Sequence, residues 1–198
     1  MGALDEHQEI VCGGGGLRVA FQWRGDRYQH SLAAVAGDRR QLLLQSREGD
    51  EQQVWPASPP LQQLSLEHRP GGGTVALAVG MAGSSHWSLS VEADPRAAAC
   101  EFDVACRCAQ PAAALGSLYQ VTGTCHLEDG RLFVRCPLGE ARVTPLPAAQ
   151  QGPCELQWDQ RRALLRIAAE GPSGAAQNAA AKERVWTVRW RYRIEWRP

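Results

Sequence analysis

Residues 186–197 read WTVRWRYRIEWR. Trp186, Val188, Trp190, Tyr192, Ile194 and Trp196 alternate with Thr187, Arg189, Arg191, Arg193, Glu195 and Arg197. A helical period of about 3.6 residues would scatter both sets around the circumference. The two-residue period of a strand separates them onto opposite faces. The segment therefore predicts one long strand inside a sheet, aromatic side on the core and arginine side outward.

The same period recurs upstream. Leu17, Val19, Phe21 and Trp23 oppose Arg18, Gln22 and Arg24, and Gly25-Asp26 supplies a turn. Tyr28, His30 and Leu32 share a face of the next strand, and Gly37-Asp38 turns into Leu42–Leu44. Such hairpins in series read as a meander. Trp87, Leu89 and Val91 oppose His86, Ser88, Ser90 and Glu92. Cys100, Phe102, Val104, Cys106 and Cys108 oppose Glu101, Asp103 and Arg107, and these two strands are expected to pair. TVALAVG (74–80) is wholly apolar and short, which fits a strand buried on both faces. Further strands are expected within 115–121, 123–127, 131–136, 142–146, 154–158 and 163–168. Only AAQNAAAKE (175–183) has a helix-forming composition. The chain thus predicts an all-β fold, an antiparallel β-sandwich or flattened barrel of about a dozen short strands with little helix.

Domain organisation follows from composition. Gly13–Gly16 is a four-glycine run, so residues 1–16 read as a flexible leader and 17–198 as a single β-sandwich domain. Residues 150–198 are a candidate for a small C-terminal sub-sheet. Pro56, Pro59 and Pro60 exclude a central strand from the connection around WPASPP, because proline lacks the ladder donor.

The 198 residues hold 21 Lys plus Arg against 21 Asp plus Glu. A neutral total argues against nucleic acid, whose binding rests on excess cations against phosphate. No stretch approaches the roughly 20 apolar residues of a membrane span. The acidic N-terminal residues lack a signal-peptide pattern. A cytoplasmic protein is expected. Lys182 is the only lysine, and an arginine-rich, lysine-poor composition fits a GC-rich, bacterial-type genome. Seven cysteines, an odd number, read as free thiols in a reducing compartment.

Several residue groups offer chemistry. Arg189, Arg191 and Arg193 form a basic row that could meet a protein partner or an anionic ligand; the plain alternative is a solvated face paired to acids. Trp55 sits in the Pro-rich loop as a candidate contact residue, and Trp196 is a second tryptophan expected near the surface. His86 and Glu92 lie on one polar strand face with Ser88 and Ser90. Alternate residues stand about 7 Å apart there, too far for a hydrogen-bonded catalytic relay. Cys106, Cys108, Cys125 and His126 are weak metal-ligand candidates, since Cys-x-Cys on a flat strand chelates poorly. No cofactor is expected. The leading expectation is a non-enzymatic binding or protein-interaction domain. The alternatives are a carbohydrate-binding module or sugar-active enzyme on a β-sandwich, and a small Cys/His metal-binding protein.

Overall fold

The computed structural model describes residues 7–108, 114–148, 151–169 and 185–198. The expected helical stretch at 175–183 lies outside them. Strands β1 (His7–Val11), β2 (Leu17–Arg24), β3 (Arg27–Ala36) and β4 (Arg39–Ser46) form the expected meander. Then come β5 (Gln63–His68), β6 (Thr74–Ala82), β7 (Ser85–Ala93) and β8 (Ala99–Cys108), and β9 (Gly116–Val121). Next are β10 (Thr124–Glu128), β11 (Arg131–Cys136), β12 (Gly139–Ala148) and β13 (Gln151–Pro153). The last are β14 (Glu155–Asp159), β15 (Leu164–Ala168) and β16 (Trp186–Arg197).

They build two antiparallel sheets of seven and eight strands, packed as a β-sandwich. The first runs β1-β2-β3-β4-β9-β15-β14. The second runs β10-β11-β12-β16-β8-β7-β6-β5, with β13 paired to the far end of β12. Strand β16 pairs with β8 from Trp186↔Cys108 to Glu195↔Ala99, and on its other side with β12. Its alternation explains this central place. Val188, Trp190, Tyr192, Ile194 and Trp196 are buried while Thr187 and Arg189 are exposed. It is paired with β8 over Trp186–Glu195 and with β12 over Arg191–Arg197, and it carries the full apolar face that a strand inside a sheet needs.

The leader expectation does not hold over residues 7–16. Strand β1 pairs with β2, and Ile10 and Cys12 are buried. The glycine run makes a tight turn at Gly13–Gly15, with Gly14 and Gly15 in the left-handed region at φ 71°, which lets the chain reverse between β1 and β2. The sub-sheet expectation also yields, because β14 and β15 extend the seven-stranded sheet. The apolar segment 74–80 is not buried on both faces throughout. Ala76 and Ala78 are buried on the inner face, while on the outer face Val75 is covered but Leu77 and Val79 are exposed at 39% and 47%. Trp196, expected near the surface, is only 6% exposed and packs into the core.

A buried polar chain ties the layers together. His30 on β3 lies 2.7 Å through Nε2 from the Tyr119 hydroxyl on β9. The Tyr119 hydroxyl lies 2.5 Å from that of Tyr192 on β16. Trp190 Nε1–H donates to Ser117 Oγ across the sandwich at 3.1 Å. Burial pushes His30 down to about 3, so the imidazole is neutral there.

Candidate functional site

The outer face of the eight-stranded sheet is written in rows by its register. One row runs Thr187–Arg107–His86–Met81 across β16, β8, β7 and β6. The next runs Arg189–Ala105–Ser88–Val79–Gln63, reaching β5. The third runs Arg191–Asp103–Ser90–Leu77–Ser65. Ala105 and Ser88 are short, and the rows on either side are tall. The result is a trough of about 500 Å³ with His86, Arg107, Val79, Met81 and Ser88 among its lining. Val79 and Met81 expose nearly half their surface at 47% and 46%. The connection from the Pro-rich loop borders this end, since a Cβ on Gly83 would stand 3.0 Å from Val54 Cγ1. Val54 is itself exposed.

Charge is distributed unevenly over this face. Arg189 holds Asp103 through Nε at 3.1 Å and Nη2 at 2.9 Å. Arg191 reaches Glu101 at 3.2 Å and Asp103 at 3.6 Å. Arg193 meets Asp94, Glu101 and Glu195 at 3.0, 3.0 and 3.1 Å, and Arg142 pairs with Glu195. These bonds raise the Arg193 pKa further, although its partial burial opposes them. Hydrogen bonds from Arg142 and Arg193 hold the Glu195 carboxyl below its usual range against partial burial. The arginine row therefore has an acidic row standing against it. Arg107 differs: it is exposed, and no ion pair is made to it among the described residues.

The other sequence candidates are dispersed. Glu92 is six residues from His86 along β7, roughly 20 Å away at about 3.3 Å per residue. It pairs with Arg69 at 2.8 Å. Trp55 is half-buried and packs on the core. Cys106 and Cys108 are fully buried inward, and burial pushes Cys106 up to about 12. Cys125 and His126 lie on β10, four strand positions from β8, or roughly 19 Å at about 4.8 Å each. His126 stacks on Phe133 with ring centroids 4.8 Å apart. No group of three or more metal-ligating side chains is gathered among the described residues.

Sequence reasoning placed His86 in this face and missed Val79, Met81 and Arg107 as its companions. The signal was present in residues 76–81. Small Ala76, Ala78 and Gly80 alternate with larger Leu77, Val79 and Met81. The small set faces an already crowded core, so the large set is turned outward. No helix among the described residues is long and apolar enough to cross a membrane. No protein-family model and no curated protein matches the chain.

Proposed function

We propose that this chain is a non-enzymatic binding domain whose contact surface is the trough on β6, β7, β8 and β16. The occupant is a segment of a partner protein that carries an acidic residue beside apolar side chains. The carrying observation is Arg107, an exposed cation with no ion pair among the described residues, next to the exposed Val79 and Met81. A carboxylate entering there would gain a charge-assisted hydrogen bond. Its apolar neighbours would cover surface that water otherwise wets, and contiguous exposed apolar surface marks contact sites. The paired Arg189 and Arg191 then stand at the border of the trough, since a newcomer would have to displace acids already in place. The sugar-binding alternative lacks an exposed aromatic platform, as all seven tryptophans are buried or half-buried. Seven free thiols are what a reducing compartment would keep.

Selection from a displayed library of random peptides tests this. The enriched peptides are expected to carry Asp or Glu next to apolar residues. Arg107→Glu and Ser88→Tyr should each weaken them roughly tenfold or more, the first by charge reversal and the second by filling the floor. Peptides that bind both variants as well as the wild type would sink the assignment.

A further inference from the structure

The β2–β3 hairpin and the residues after β4 enclose a second, smaller pocket of about 270 Å³, remote in sequence from the trough. Arg24, Asp26, Arg27, Arg47 and Glu48 are among its lining. Arg27 is 3% exposed, a rare state for an arginine. Its Nε and Nη2 hold Asp26 at 2.9 and 2.5 Å. Its Nη1 is buried and has no hydrogen-bond partner. Glu48 meets Ser46 Oγ through Oε1, while its Oε2 is also buried and unpartnered. Two orphaned polar atoms of opposite kind on one pocket's residues call for a ligand, because a buried polar group left unpaired is costly.

Proton counting narrows the ligand. Ser46 Oγ accepts from the His30 N–H at 2.9 Å and lies 2.9 Å from the His30 carbonyl oxygen. A hydroxyl has one proton to give. That proton is shared between the His30 carbonyl and Glu48 Oε1, and neither contact engages Glu48 Oε2, which stays an acceptor. Burial pushes this carboxyl up to about 7. Three arginines line the pocket beside Asp26, which Arg27 already engages, and the Asp50 carboxylate also acts on Arg27.

We propose that this pocket binds phosphate: oxygens of the anion accept from Arg27 and Arg47, and its retained P–O–H donates to Glu48 Oε2. Arg47 is exposed and has no ion pair among the described residues, so it is free to turn inward. Sulfate has the same shape but carries no proton near neutral pH. It would set an oxygen against the Glu48 acceptor. The same chemistry could come as free phosphate or as the end of a phosphomonoester.

Titration of the arginine Nε–H NMR signals with sodium phosphate and with sodium sulfate, at matched ionic strength and about pH 6, decides the matter. Phosphate should shift the Arg27 signal saturably, with sulfate at least about tenfold weaker. Glu48→Gln keeps both the bond to Ser46 and an acceptor, so it should retain the preference. Glu48→Met should lose it, and Arg47→Gln should weaken both anions. Should Glu48→Met fail to fold, the contrast between the two anions in wild type and in Glu48→Gln still decides. Phosphoserine binding as well as inorganic phosphate assigns the pocket to a monoester, and its exclusion assigns it to the free anion. Equal response to both anions, or no response, overturns the proposal; the pocket then holds water only.

Discussion

Burial holds the Glu48 carboxyl near 7 instead of 4.5, although the bond to Ser46 and the charge of Arg27 pull it down. A raised acid binds its proton more tightly in the folded chain than in the unfolded one. Its stabilisation is fully present below the unfolded value near 4.5 and is lost as pH rises through about 7. Urea denaturation across that interval should show stability falling with pH. Glu48→Gln should flatten this part of the profile, and an unchanged slope would show that other groups set it. His30 contributes oppositely. Burial lowers its value to about 3, so its neutral form resists acid and favours the fold only above its ordinary value of 6.5.

Among the elements, the Pro-rich connection and β6 are pressed together. A Cβ on Gly80 would stand 1.7 Å from the Pro60 carbonyl oxygen and 3.1 Å from the Gln62 backbone nitrogen. Backbone cannot swing aside as a side-chain end can. Gly80→Ala should therefore cost about 1–3 kcal/mol by overpacking, read from a lowered denaturation midpoint. A midpoint unchanged in that variant would mean that the connection does not lie on β6. Strands such as β2, β7, β8 and β16 were legible because a buried and a wet face force a two-residue period on the sequence. Strand β1 was hidden behind the glycine run, whose composition suits a tight turn and a flexible joint equally. Residues 74–80 were read as doubly buried because apolar composition says nothing of which neighbours remain to cover a face. For the sites, His86 was legible as an exposed polar residue, but its company came from the cross-strand register. Arg27 and Glu48 meet through positions 21 residues apart and left no local pattern at all.

At the scale of the whole molecule, the cysteines give a simple check of the sandwich. Six are buried, and Cys125 on β10 is half-exposed. Burial also raises the Cys106, Cys108, Cys125 and Cys154 thiols above their ordinary range, which slows thiolate chemistry. A thiol reagent should modify Cys125 first and the remainder only in denaturant. Rapid modification of several sites in the native protein would contradict the packing. Strand β16 is the latest in chain order, yet it fills the middle of the larger sheet between β12 and β8. On one side stand β10, β11 and β12, on the other β8, β7, β6 and β5, and among the described strands the two blocks are joined in the sheet through β16. During synthesis both blocks emerge with a bare inner edge, each an open template for pairing with another chain. Closing that gap joins residues about 90 positions apart, such as Arg191 to Glu101, so assembly is inherently slow. The charged residues of β8 and β12, such as Glu101, Asp103 and Arg142, thus act before folding ends as well as after it. They place charge on the strands that wait longest for their neighbour, where it discourages the wrong partner until the right one arrives.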